Sequence, residues 1–178
     1  MKTFRKLRSG LLVPVNDILC GGKFHGKIIR AGRVIDEFDC KNLVVNQGLN
    51  YMLGAALGNQ GAIANWYLGL FTGNYTPVAS DTASTFPGNA TETNAYTYGS
   101  RVPYQPYAPA SQSISNSLGP SSFTFNGNIT VYGAFLVSNS VIGGTTGTLF
   151  SAAQFGASKS VVNNDQLVLT YTFSATSS

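Results

Sequence analysis

Charge is nearly missing from this chain after Lys41, and that restricts the surfaces it can build. Beyond that point only Arg101 and Lys159 are cationic, and only Asp81, Glu92 and Asp165 are anionic. Charged residues make up 10% of the sequence, far below the roughly one quarter of ordinary soluble domains, and Ser, Thr, Asn and Gly take the positions that Lys and Glu usually fill. Solvated helices rarely have that composition. Strand faces and turns do, because β-branched and small polar side chains suit a pleated surface and its connections. With 43% hydrophobic residues in 178, the chain can bury one good core, so one mainly β domain with appendages is expected.

The charge that exists is concentrated at the start. Lys2, Arg5, Lys6, Arg8, Lys23, Lys27, Arg30, Arg33 and Lys41 give the first 41 residues about +5, against about −1 for the rest. Residues 1–20 read as a basic arm with too few periodic apolar positions to fold alone, and residues 21–178 as a single β-sandwich domain. The arm could touch nucleic acid, but the body has no basic groove or recognised nucleic-acid signature. An acidic protein surface is the expected contact for Lys2, Arg5, Lys6 and Arg8. The basic start imitates a signal peptide, yet the apolar run Leu11–Val15 is short and contains Pro14, so secretion is not expected. No stretch reaches the length of a membrane span. Without export, Cys20 and Cys40 should be thiols, and the sequons at Asn74, Asn89 and Asn128 should stay unmodified.

Periodicity assigns the elements. Phe24–Arg30 and Arg33–Asp39 flank Ala31-Gly32, the pattern of a hairpin with a two-residue loop, within a hairpin spanning about 23–40. That register sets Lys27 opposite Asp36 and leaves Phe24, Ile28 and Ile35 on one face with Arg30, Arg33 and Glu37, so neither face is clean. Leu49, Met52, Leu53, Ala56 and Leu57 recur at helical spacing between a cap at Asn46 and a stop at Gly58, giving one short helix that props the sheet. Trp66–Phe71 and Tyr132–Val137 are apolar on both faces, as strands buried on both sides are. Phe123–Phe125 and Ile129–Val131 suit a hairpin around Asn126-Gly127-Asn128. A turn at Gly143-Gly144 leads to Leu149-Phe150, and Leu167, Leu169, Tyr171 and Phe173 alternate with Val168, Thr170, Thr172 and Ser174. Seven or eight strands and one helix point to an antiparallel β-sandwich of jelly-roll type.

Two segments stand out as contact candidates. Thr72–Ser100 is a long polar stretch of the kind that is functional or rests on another molecule. Pro103, Pro106 and Pro109 fall every third residue, with Tyr104 and Tyr107 also three apart, the period of a polyproline II strap. Pro103, Tyr104, Pro106 and Tyr107 either dock on a neighbour or cross the protein's own surface.

Candidate chemistry is sparse. The single histidine, His25, lies in the charged hairpin, so no nucleophilic triad can be built without it. Cys20, His25 and Cys40 match no zinc spacing. Gly21-Gly22-Lys23 has no Gly five residues before Gly22, and Phe24 stands where a phosphate loop needs Ser or Thr. Nothing marks Asp81 and Glu92 as a glycosidase pair, and turn or capping duty is the default for both. No enzyme, metal or cofactor is expected.

The runs Asn42–Asn50, Trp66–Phe71, Thr76-Pro77, Asp81-Thr82, Tyr132–Leu136 and Asp165-Gln166-Leu167 resemble those of bacteriophage virion proteins, the head cement or capsid-decoration proteins of short-tailed phages. The similarity spans roughly residues 23–174 and leaves the basic start outside. It implies a jelly-roll-like sandwich, often a homo-oligomer, clamped across junctions of the major capsid protein in the virion and made in the host bacterial cytoplasm. It carries over no ligand or active-site residue. The competing expectation is a tail or fibre protein whose polar, Tyr-rich loops bind a host receptor or glycan.

Overall fold

A computed structural model describes residues 3–6, 12–15 and 18–177, with side chains described from Ile18 to Ser177. Strands β1 (Thr3–Lys6) and β2 (Leu12–Val15) form an antiparallel hairpin inside the stretch expected to be an arm. Lys2 and Arg8 lie outside the described residues, as do the side chains of Arg5 and Lys6. Strand β3 (Ile18–Arg30) begins three residues earlier than the expected domain boundary, because Ile18–Cys20 pair with Ala175–Ser177.

The remaining strands are β4 (Arg33–Lys41), β5 (Leu43–Val44), β6 (Trp66–Phe71), β7 (Val102–Tyr104), β8 (Ser113–Ser115), β9 (Ser121–Thr124), β10 (Ile129–Val137), β11 (Leu149–Val161) and β12 (Gln166–Ser177). They build the expected antiparallel β-sandwich. Sheet I runs β5-β11-β10-β6-β7, and sheet II runs β4-β3-β12-β8. On β12, strand β9 pairs with Gln166–Leu169 and β8 with Thr172–Ser174. Helices α1 (Asn46–Leu57) and α2 (Phe86–Ala90) lie in the connections. No helix among the described residues is long and apolar enough to cross a membrane.

The alternation along β12 holds as expected, with Leu167, Leu169 and Tyr171 buried inward. The β3–β4 turn is also as expected: Ala31 (φ 48) and Gly32 (φ 76) both take the left-handed conformation of a type I′ turn. The register beyond it differs. A bulge next to the turn shifts the pairing by one, so Lys27 faces Glu37 rather than Asp36, and Phe24 faces Cys40. This one residue cleans both faces. Phe24, Ile28, Phe38 and Cys40 now point inward, while Lys23, His25, Lys27, Glu37 and Asp39 share the outer face. Asp36 pairs instead with Lys159 of β11 at 2.8 Å.

The expected hairpin around Asn126-Gly127-Asn128 does not form. β9 joins sheet II through β12 while β10 runs at the centre of sheet I, so the connection crosses between sheets. Phe123 and Phe125 are fully buried by that crossing, which a local hairpin on one sheet would not achieve. α1 also departs from expectation in detail. Its N-cap is Val45, with no side-chain cap bond, and the helix is seated by Gln47 Oε1, which accepts from the backbone N–H of Ala83 (2.9 Å) and Leu149 (2.8 Å). Gly48 is placed where any Cβ would collide with the Phe150 backbone. Leu49, Tyr51 and Met52 pack on the core, but Leu53 and Leu57 point to solvent because the helix leaves the sandwich at its C-terminal half.

Sheet I is buried on both faces, which explains the doubly apolar β6 and β10. Leu68, Leu70, Ala134 and Leu136 fill the space between the sheets. Phe71, Phe135 and Val137 face the other way, under Ala83, Phe86 and Ala90 of the Thr72–Ser100 segment. That long segment is a third layer folded on its own sheet.

Candidate functional site

An open apolar groove of about 640 Å³ lies between α1 and the strap that follows β7. The helix wall is Tyr51, Met52, Ala55 and Ala56, residues that face the groove because α1 is rotated about its seat at Gln47 and Gly48. The floor comes from both sheets, through Trp66, Phe150, Tyr171 and Phe173. These rings are edge-packed in series: Tyr51 on Trp66 at 5.3 Å, Trp66 on Phe150 at 5.6 Å, and Phe150 on Phe173 at 5.1 Å. Such arrangements are rigid and keep large apolar area in one place. Pro106, Pro109 and Ile114 form the far wall.

The strap residues divide. Val102–Tyr104 is strand β7, paired with β6, so Pro103 is an edge-strand residue. Tyr104 is buried against its own core, its ring 5.6 Å from that of Tyr171. Burial pushes its phenol pKa upward. Tyr104 is therefore not free to meet a neighbour, a correction to its place among the contact candidates. Pro106 and Tyr107 are exposed and remain so placed, Pro106 on the groove and Tyr107 about half exposed.

Polar groups beneath the floor hold it in shape. The Tyr171 hydroxyl is hydrogen-bonded by Ser151 Oγ (3.0 Å) and accepts from Asn42 Nδ2 (2.9 Å), and burial raises its pKa to about 12. Asn116 is fully buried and serves β12 as a backbone surrogate, its Oδ1 accepting from Tyr171 N–H at 2.8 Å. Almost no polar atom reaches the groove surface. It can bind apolar side chains but offers little to the hydroxyls of a sugar.

The other candidate residues are engaged in the frame. Asp81 has the turn role expected of it, accepting from Val78 N–H and the Tyr75 hydroxyl, both at 2.8 Å. Glu92 does not. It makes a two-point ion pair with Arg101 at 2.7 Å, with both side chains essentially buried. Arg101 also donates to the carbonyls of Asn139 and Gly144 and lies over the Phe135 ring, while Glu92 accepts from Gly143 N–H at 2.7 Å. The sequence signal for this clamp is a lone cation and a nearby acid in an otherwise uncharged body.

His25 sits on the outer face of sheet II between Asp39 (2.9 Å) and Glu37 (3.2 Å), flanked by the Lys23–Asp39 and Lys27–Glu37 pairs. The His25 and Lys23 contacts hold the Asp39 carboxyl below its usual range. Cys20 and Cys40 are both free thiols. Cys40 donates to the Gln154 carbonyl at 3.0 Å, and burial raises its pKa, which disfavours the reactive thiolate. Gly21-Gly22-Lys23 lies inside extended strand β3 and forms no loop. Among the described residues, no three His, Cys, Asp or Glu side chains are grouped to hold a metal.

No protein-family model and no curated protein matches the chain significantly. Several of the sequence runs singled out by their pattern are frame elements. Asn42 and Gln47 make the bonds given above, Trp66–Phe71 and Tyr132–Leu136 are the paired strands β6 and β10, Thr76 bonds Gln154, and Asp165 holds Arg30 at 2.7 Å.

Proposed function

We propose that this chain is a structural protein of a bacteriophage particle that binds the capsid shell and stabilises it as a cement protein, with the major capsid protein as partner. The observation that carries the reading is the groove: an aromatic concavity left open beside α1, in contrast to the outer face of sheet I, which Thr72–Ser100 covers. A surface of that kind suits protein docking, because pre-ordered aromatic area binds with little conformational cost. The exposed Pro106 and Tyr107 extend the surface, and the cationic positions Lys2, Arg5, Lys6 and Arg8 supply the charge that the groove lacks. Many copies on a shell need only modest affinity each.

The tail or fibre reading drew on the freedom of Thr72–Ser100. That segment is pinned by Phe86 and by the Glu92–Arg101 pair, so the support moves to the cement reading. Copy number tests the choice. Quantitative mass spectrometry of purified particles should find this chain at a level approaching the major capsid protein, and a few copies per particle would refute the cement role.

A further inference from the structure

The loop between β9 and β10 lies at the end of the sandwich marked by the Ala31-Gly32 and Val162–Asp165 turns, where Ile29 pairs Gln166 and Ile129 pairs Val161. Strand β3 separates this end from Ile18 by about 35 Å. The loop must carry the chain from sheet II to sheet I, and it does so in Asn126-Gly127-Asn128. Its two ends are fixed. The Asn126 N–H donates to the Ala95 carbonyl at 3.2 Å, and Asn128 Oδ1 accepts from the Asn163 N–H at 3.1 Å. Between those points the peptide is unengaged: among the described residues, neither the Asn126 side-chain amide nor the Gly127 N–H has a hydrogen-bond partner, and Asn126 is exposed. A side chain at Gly127 would meet no atom within 4 Å, so the joining peptide has open space around it.

We propose that Asn126 is a site of spontaneous covalent modification, at which the Gly127 backbone nitrogen closes on the Asn126 side chain and converts it to Asp or isoaspartate. The deprotonated Gly127 nitrogen bonds to Asn126 Cγ, the Cγ–Nδ2 bond breaks, and ammonia leaves, giving a five-membered succinimide. Water then opens the ring at either carbonyl. Opening at the backbone carbonyl leaves isoaspartate, with the chain rerouted through Cβ and Cγ, and opening at Cγ leaves Asp. The net change consumes one water and releases one ammonia. Three observations select this residue. Asn126-Gly127 is the one Asn-Gly pair in the chain, and only Gly presents the attacking nitrogen without a Cβ beside it. Nucleophile and carbonyl are held in one short segment, so closure is intramolecular. Asn116, by contrast, is buried with its amide bonded to Ser121 and Leu169 and is followed by Ser117. The product places a new negative charge on a body that has few, and isoaspartate adds a backbone atom inside a loop fixed at both ends. This inference does not depend on the virion reading.

The full chain, incubated at neutral and at mildly alkaline pH, should gain about 1 Da in intact mass and shift to a more acidic species on ion exchange, faster at the higher pH. Peptide mapping should place the change at residue 126 as a mixture of Asp and isoaspartate. A free peptide of residues 121–131 sets the chemical rate, and the folded chain should convert within about tenfold of it. Gly127→Ala, which the open space accommodates, should slow conversion by at least about tenfold with circular dichroism unchanged, and Asn126→Gln should abolish it. Conversion in the folded chain slower than that tenfold window, a mass gain that maps to another residue, or an undiminished rate in Gly127→Ala would overturn the proposal.

Discussion

The outer face of sheet I and the groove beside α1 present the same kind of side chain and end in opposite states. Phe71 and Phe135 are completely covered by Thr72–Ser100, while Trp66, Phe150 and Phe173 line an open concavity. The difference lies in how each covering segment is fastened. Thr72–Ser100 brings an aromatic plug at Phe86, a turn organised by Asp81, and Glu92, whose charge is matched by Arg101 in the interior. The strap after β7 has one comparable anchor, Tyr104, and then runs exposed through Pro106–Ala110. A connection becomes a lid when it supplies apolar fill and every polar group it buries finds a partner. Lacking the second anchor, the strap stands as a wall and leaves the groove open.

That contrast can be broken first at the clamp. Glu92→Ala leaves the Arg101 guanidinium buried without its counter-charge, and chemical denaturation should show a loss of about 3–5 kcal/mol. A loss below about 1 kcal/mol would mean the lid is held by packing alone. Phe86→Ala should cost a similar or slightly smaller amount, about 3–4 kcal/mol, and raise binding of a hydrophobic dye as sheet I is uncovered. At the strap, Tyr104→Ala should lower stability by about 2–4 kcal/mol, whereas Tyr107→Ala should change it by less than about 0.5 kcal/mol. Equal effects from the two tyrosines would remove the distinction between anchor and exposed wall.

Two smaller effects sharpen the picture. Arg30 and the Val162 N–H hold the Asp165 carboxyl below its usual pKa, so its contribution to stability is complete above the unfolded value of about 3.9 and is lost as pH falls through the folded value. Asp165→Asn should therefore be less stable than the parent at pH 7, with the gap closing below about pH 4 in thermal melts. Converging curves at neutral pH would show that the pair contributes nothing. In the interior, the Tyr96 hydroxyl is buried without a hydrogen-bond partner among the described residues, so Tyr96→Phe should raise stability by about 1 kcal/mol, and a decrease would reveal a partner for that hydroxyl.

Much of the fold was legible in short-range pattern. The alternation of Leu167–Ser174, the doubly apolar β6 and β10, the Ala31-Gly32 turn and the helix between Asn46 and Gly58 all rest on period and turn chemistry within a few residues. The errors arose where two distant segments compete for one partner. Phe123-Thr124-Phe125 suits β10 locally, yet it pairs with β12, because only there do both Phe side chains reach the core. Ile35 fits a regular hairpin, yet the bulge beside it lets Phe38 and Cys40 face inward together. At the candidate site, the three-residue spacing of Pro103–Tyr107 was visible, but the burial of Tyr104 was not, because the same spacing serves an exposed strap and an edge strand.

By itself, then, the sequence determined that the chain is mainly β, that its helix content is small, that its body is electrostatically quiet and that its cations gather near the start. These follow from composition and period, which act residue by residue. Only the tertiary structure decided which apolar faces are closed. Glu92 and Arg101 become a clamp, Thr72–Ser100 a lid, and α1 with the strap a groove only after segments tens of residues apart are brought together. Burial is a property of that assembled geometry: identical aromatic side chains are core where a fastened loop crosses them and surface where none does.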